Sequence, residues 1–268
     1  AIATAALGIN NVHLQGGEVS GSLDEKWRHA ITKLADWHVP ATVRARENLI
    51  RMGERPETIL ATGCPSAVMA HEIAKDMNHG QYILVVYHPN TTDRAQSVLE
   101  MAEILRAIRR TPDNCNVWIL WPNIDSGADE ISKLIRVWRN ANHFAHHVKY
   151  VTNMEPRDYQ RTLANAGCVI GNSSSFVRDS SFYGTPVLLV GSRQDGRERS
   201  VNVRDVPAFA PAIERAISEE CGKRYPLSAM YGDPGICNRI IAGLKRLKPY
   251  KQKRLAYGTS SWSYEFLP

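Results

Sequence analysis

The chain has 268 residues, a formal net charge of +6 and 43% hydrophobic residues, enough for one large domain or two smaller ones around a sizeable core. No run approaches the ~18 apolar residues of a membrane helix, and no zinc finger, RNP-like aromatic motif or long basic tract accompanies the positive charge, so neither a membrane nor nucleic acid is the expected partner. Five cysteines, at 64, 115, 168, 221 and 237, lie far apart without CxxC spacing, which argues against a disulfide framework and against a zinc site.

The chain opens on Ala1-Ile-Ala-Thr-Ala-Ala-Leu7, which has no basic flank and reads as helix rather than signal peptide; a reduced, cytoplasmic protein is expected. From there, apolar β-rich runs alternate with helix-length amphipathic stretches. Strands are expected at Asn11–Leu14, Trp37–Pro40, Ile59–Thr62, Tyr82–Tyr87, Val117–Trp121, Val148–Thr152, Val169–Ile170 and Val187–Val190. Helices are expected at 24–34, 42–52, 65–77, 93–109, 128–141, 156–166, 175–183, 208–221 and 233–246. Pro156 suits a first helical turn. The alternation predicts an α/β fold in which a parallel sheet is covered by helices on both faces. Basic residues in stretches such as Leu105–Arg110 read as a solvated helix face. A boundary is expected near Gly63-Cys64-Pro65, because too few strands precede it for a complete doubly wound sheet. Residues 1–63 then end a first, incomplete domain and 64–247 form a second. Residues 248–268, basic and then aromatic at Trp262, Tyr264 and Phe266, form a tail packed on another surface or a partner.

Four segments carry chemistry. In His13-Leu-Gln-Gly-Gly-Glu18, a strand runs into a Gly-Gly turn that lets backbone approach a ligand, with Asp24, Arg28 and His29 following; Asp24 reads equally as a helix cap or an i,i+4 partner of Arg28. In Tyr87-His-Pro-Asn-Thr-Thr-Asp93, His88 stands at the carboxyl end of a strand, where α/β folds bind ligands. In Trp121-Pro-Asn-Ile-Asp125, Asn123 suits a ligand contact or an Asx turn. The fourth segment is Gly171-Asn-Ser-Ser-Ser175, a polar turn between strand and helix. Its hydroxyls and free N–H groups at a helix N-terminus suit an anion, or Ser173 or Ser174 simply caps the helix. Asp179 follows one turn on, suited to sugar hydroxyls or to solvent. In the next loop, Arg193 and Arg197 offer forked donors to a diphosphate or to sugar hydroxyls.

Taken in order, His13…Gly16-Gly-Glu-Val-Ser-Gly21…Asp24…Arg28-His-Ala-Ile-Thr-Lys-Leu34, His88-Pro…Asp93, Pro122-Asn-Ile-Asp125, Gly171-Asn-Ser-Ser174…Val-Arg178, Gly184-Thr-Pro-Val187 and Arg193-Gln…Gly-Arg-Glu198 closely resemble the UDP-N-acetylglucosamine 2-epimerases, nearest the hydrolysing branch of sialic-acid synthesis. The similarity runs from residue 1 to about 247. It implies two Rossmann-like domains in the GT-B arrangement, the first incomplete here, with UDP-N-acetylglucosamine in the cleft. It implies loss of the C2 proton and of UDP to give 2-acetamidoglucal, then hydration to N-acetylmannosamine, with no metal or redox cofactor. By position, Ser173 and Ser174 would hold the diphosphate with His88 beside it. Asp179 would take the ribose hydroxyls where the family usually has glutamate. Asn123 and the backbone near Val151 would meet the nucleotide, Arg193 the diphosphate and sugar, and Asp24 would be a catalytic carboxylate. Gln15 stands where the family motif carries a catalytic glutamate, and an amide moves no proton at neutral pH. The family's first strands and helices, on the order of one hundred residues, have no counterpart before Ala1. Two other readings follow: a non-catalytic epimerase-like subunit of a larger assembly, and a GT-B glycosyltransferase. A homo-oligomer, or a complex formed through exposed sheet and tail, is the expected quaternary state.

Overall fold

The structure, a computed structural model, describes residues 1–78, 80, 82–112, 114–142, 147–250, 253, 254 and 256. The first part carries helix α1 (Ile2–Ala6), strand β1 (Val12–Leu14), helix α2 (Asp24–Leu34), strand β2 (Trp37–Val39) and helix α3 (Val43–Arg51). Strands β1 and β2 pair in parallel, and Ile59 adds a single parallel bridge to His38. The strand expected at Ile59–Thr62 is therefore reduced to that one bridge. Helix α2 starts and stops where its amphipathic pattern does. Helix α3 is capped by the Thr42 hydroxyl, which accepts from Ala45 N, and it buries Ala45 and Leu49.

After helix α4 (Ser66–Ala74) comes the main sheet. Its strands are β3 (Tyr82–Val86), β4 (Asn116–Leu120), β5 (Val148–Val151), β6 (Cys168–Gly171), β7 (Val187–Leu189) and β8 (Val203–Asp205). Between them run helices α5 (Arg94–Ile108), α6 (Ala128–Ala141), α7 (Pro156–Asn165) and α8 (Ser174–Arg178), then α9 (Ala210–Glu220) and α10 (Ile236–Lys245). All pairings are parallel and the order is β5-β4-β3-β6-β7-β8. This is a doubly wound sheet whose strand order reverses between β3 and β6, which sets the ligand crevice at their carboxyl ends.

The strands are apolar on both faces because helices cover both. Leu84, Val86, Val169 and Leu189 face one cluster, with α4 and α7; Ile83, Val85, Ile170 and Leu188 face the other, with α5 and α9. Each such side chain contributes roughly 1.5–3 kcal/mol on burial. Cys168 is fully buried and Cys237 packs half-buried, both as ordinary apolar side chains. Two further details differ from the sequence expectation. Strand β8, with one apolar residue and two exposed polar ones, was not anticipated. The helix expected at 175–183 is α8 followed by a 3-10 turn, Asp179–Phe182.

The chain returns to the first sheet after α10. Tyr250 sets its ring edge-on to Trp37 at 5.5 Å and donates to Asp36 O, and Ala256 N bonds Gly53 O. Lys253 reaches Glu54, at 2.7 Å, and the carbonyls of Thr32 and Ala35. The described part of the tail thus packs on its own chain; Trp262, Tyr264 and Phe266 lie outside the described residues. Glu54 is buried and also bonds His38 and Lys33. Burial raises its pKa, but hydrogen bonds from His38, Lys253 and Lys33 outweigh this and hold it at about 2. A folded pKa below the unfolded one stabilises fully above about pH 5, and the gain drains away as pH falls towards 2; the shift corresponds to about 3 kcal/mol. Glu54→Gln is therefore expected to flatten the loss of stability between pH 5 and 2.5, read from denaturant midpoints of both proteins. Equal slopes would refute the assignment. No described helix is long and apolar enough to cross a membrane.

Candidate active site

Both crevice strands end in residues that lock together. Asn172, directly after β6, accepts from His88 N at 2.7 Å and donates to His88 O at 2.8 Å, so the loops after β3 and β6 are clamped to each other. Gly171 turns the chain here with φ +141°, and a Cβ on it would lie 2.0 Å from Val86 O. The backbone therefore reaches Asn172 and Ser173 only because residue 171 has no side chain.

Ser173 occupies the N-cap position of α8, yet its hydroxyl caps nothing; it meets the Ser175 hydroxyl at 2.8 Å. The simple capping reading of this turn fails for Ser173. Ser174 and Arg178, four apart on α8, line an open cavity of about 350 Å³ with Gln15, Glu18, Asp24 and Arg28 of the first part of the chain. The carboxyl end of the first sheet thus faces the crevice of the second.

Gln15 follows β1 with φ +64°, the one non-glycine at positive φ among the described residues. Such a conformation costs of order 1 kcal/mol or more and needs a surrounding that holds it. Here the Gln15 N–H bonds Val39 O at 2.8 Å. Its Oε1 accepts from Arg178 Nη1, and its Nε2 points at Cys64 Sγ, 3.2 Å away. The amide bridges the two sheets without a proton to move. The Gly-Gly turn after it serves packing rather than ligand approach: at Gly17, φ +80°, a Cβ would sit 2.2 Å from Ala45 O of α3.

Asp24 neither caps α2 nor pairs with Arg28, as the sequence had allowed. Among the described residues its one hydrogen bond comes from Ser22 Oγ, at 3.1 Å, and the carboxylate is exposed to the cavity. Arg28 bonds Glu25, Ser20 and Glu18 O instead. Glu18 and Arg197, both buried, pair at 2.5 Å, so Arg197 is committed to Glu18 rather than left for a diphosphate. His13 also lines the cavity, and burial, aided by nearby His38 and Arg28, lowers its pKa to about 4.

A second group, outside the lining of this cavity, follows β3 and β4. His88 Nδ1 accepts from Asn123 N at 3.1 Å, which leaves the proton on Nε2. Burial, then Arg193, lowers the His88 pKa to about 4, against the pull of Asp125. The imidazole is a neutral N–H donor at physiological pH. Asn123 Nδ2 and Arg193 Nη2 both reach Asp125 Oδ2, at 2.6 and 3.3 Å, while Asn123 Oδ1 is buried with no partner among the described residues. The Asx turn is therefore not formed: the amide donates to a side-chain carboxylate and keeps an unused acceptor.

Two expected residues lie apart. Asp179 is buried and accepts from Ser66 Oγ at 3.1 Å and Gln160 Nε2 at 2.9 Å, so it is an interior carboxylate, not a solvated one. Val151 ends β5 and its carbonyl takes Trp121 N. Neither lines the 350 Å³ cavity, nor do His88, Asn123, Ser173 or Arg193; of the expected site residues only Gln15, Asp24 and Ser174 do. The sequence reading did not single out Arg178 for the site; its spacing from Ser174 was the available signal.

The UDP-N-acetylglucosamine 2-epimerase family matches over residues 1–245. The chain belongs to this family. Among its relatives, a Legionella pneumophila UDP-N,N'-diacetylbacillosamine 2-epimerase (hydrolyzing) is 33% identical over 264 residues, 94% of this chain and 68% of the relative. A Neisseria meningitidis serogroup B UDP-N-acetylglucosamine 2-epimerase is 27% identical over 82% of this chain and 60% of its own length. The chain therefore spans about three fifths to two thirds of these relatives. The crystal structure of a Neisseria meningitidis UDP-GlcNAc 2-epimerase bound to UDP-GlcNAc superimposes with a TM-score of 0.74 at 17% identity, over 92% of this chain and 72% of that one. An S. aureus MnaA–UDP structure gives 0.71 at 18% identity, over 96% and 73%. At these identities the epimerase structures establish the fold, a mixed α/β architecture with a parallel sheet.

Proposed function

We propose that this epimerase-family chain binds a UDP-sugar in the cavity between its two sheets and takes part in hydrolytic 2-epimerisation, with UDP-N-acetylglucosamine as substrate and N-acetylmannosamine and UDP as products. The carrying observation is the one cavity that unites Asp24 and Gln15 with Ser174 and Arg178. In this reading residues 1–63 belong to a first Rossmann-like domain and 64–247 to the UDP-binding one, in the GT-B arrangement. Ser173, Ser174 and the free N–H groups of the turn hold the diphosphate. His88 Nε2–H donates to it as it leaves, neutral and therefore unaffected by pH near 7. Asn123 Oδ1, Arg193, Asp179 and the backbone near Val151 serve the nucleotide.

Chemically, a base takes the C2 proton, the C1–O bond breaks with its electron pair leaving on UDP, and 2-acetamidoglucal remains. Water then adds across the double bond, its oxygen to C1 and a proton to C2 from the opposite face. Asp24 is the exposed carboxylate placed to carry a proton; Gln15 positions Arg178. The Legionella and Neisseria relatives' names, one for a diacetylbacillosamine and one for N-acetylglucosamine, support UDP-linked 2-acetamido sugars as the substrate class. A place in sialic-acid synthesis, a cytoplasmic location and self-association belong to the same reading.

Ser174→Ala is expected to weaken UDP binding roughly tenfold, the scale of one hydrogen bond to a charged group, without lowering the melting temperature. Titration calorimetry with UDP decides this, and unchanged affinity removes the serine turn from the diphosphate seat. Incubation with UDP-N-acetylglucosamine, followed by NMR, tests the reaction: neither UDP nor N-acetylmannosamine appearing would leave the non-catalytic reading, which Gln15 favours.

A further inference from the structure

A larger cavity, about 480 Å³, lies at the other end of the first sheet. Trp37 opens β2, whereas Gln15 follows the end of β1, so in this parallel sheet the two cavities sit at opposite edges. The second one is bounded by Thr58–Leu60, by the end of α10 and by Tyr250. Its lining is mostly polar, with an aromatic corner where Trp37 and Tyr250 meet edge-to-face and the Arg55 guanidinium lies 5.4 Å above the Tyr250 ring. Around it stand Arg55, Arg246 and Lys248, with Glu57 as the single carboxylate. Arg246 and Lys248 are exposed, and neither side chain forms a hydrogen bond or ion pair with any described residue.

Three cations against one anion, converging on a concave wall, form a field that favours a multiply charged anion. The volume lies within the range of small-molecule sites. The exposed edge of the Tyr250–Arg55 stack offers a surface for a flat ring. We infer that this cavity is a second ligand site that takes a phosphate ester of a nucleoside or sugar, its phosphate held by Arg246 and Lys248 and its ring laid towards Arg55 and Tyr250.

The test uses the whole chain without UDP, because UDP is itself a nucleoside phosphate and would compete for the second site. AMP, ribose 5-phosphate and inorganic phosphate are titrated by calorimetry. Binding of AMP at least tenfold tighter than inorganic phosphate is expected. Ribose 5-phosphate equal to AMP assigns recognition to the sugar phosphate, and weaker than AMP to the base; both outcomes support the site. The double variants Arg246→Gln/Lys248→Gln and Arg246→Glu/Lys248→Glu are expected to lower AMP affinity at least tenfold at unchanged melting temperature, while keeping one UDP site in the cleft. Absence of binding by all three probes at millimolar concentration, or equal AMP affinity in parent and variants, overturns the inference. A failure of UDP itself to bind would instead count against the cleft reading, and is read in a separate titration with UDP.

Discussion

Replacing Gly171 with alanine is expected to lower the free energy of unfolding by about 4 kcal/mol and to abolish UDP binding. Two costs combine. An L side chain at φ +141° is strained by roughly 1–3 kcal/mol. The new Cβ would also stand 2.0 Å from Val86 O, so β3 and β6 must part, a clash of about 1–3 kcal/mol. The displaced atoms are those that support the crevice: Asn172 N bonds Val86 O, and the Asn172 side chain holds His88 at both backbone groups. Chemical denaturation measures the first effect and UDP titration of the folded fraction the second. A loss below about 1 kcal/mol would show that the crevice tolerates a wider turn, and would undo the account given for this glycine.

Asp24→Asn is expected to cut release of UDP from UDP-N-acetylglucosamine about a thousandfold while leaving UDP affinity unchanged. A positioned acid or base commonly supplies 10²–10⁴-fold, so a thousandfold loss is near ~4 kcal/mol of barrier. The amide keeps the shape and the contact with Ser22, but it neither takes nor gives a proton. Because Asp24 is exposed and makes no ion pair, its removal leaves no buried partner charge behind. Stability should therefore be unaffected, and the change should fall on kcat rather than KM. Turnover within tenfold of the parent would transfer the proton to another group of the cavity.

Much of this was legible in the residues. The α2 pattern runs into a last polar turn and stops, and the strand Tyr82–Val86 is an apolar run long enough to be buried on both faces. His88 could be located because a histidine directly after such a strand has few places to be. Strand β8 could not be read, since Val203-Arg-Asp205 has no alternation; it exists because Val187 N finds Asn202 O and the ladder continues. The pairs that join the two sheets were equally hidden. Gln15 meets Arg178 across 163 residues and Glu18 meets Arg197 across 179, separations at which no local spacing carries a signal. The Asp24 alternatives failed for a related reason: Arg28 had a better partner in Glu25, one position further along.

The return of the chain to the first sheet has a mechanical meaning. Between the two sheets the polypeptide crosses once before α4 and once after α10, where Tyr250 and Lys253 are fastened to Trp37, Asp36 and Glu54. A single tether would leave one part free to swivel about the other in every direction. Two tethers act like the two ends of a strap: with the Gln15–Arg178 and Glu18–Arg197 pairs between them, they fix how the two parts face each other. The wall carrying Asp24 and the wall carrying Ser174 are thereby presented to a ligand already aligned.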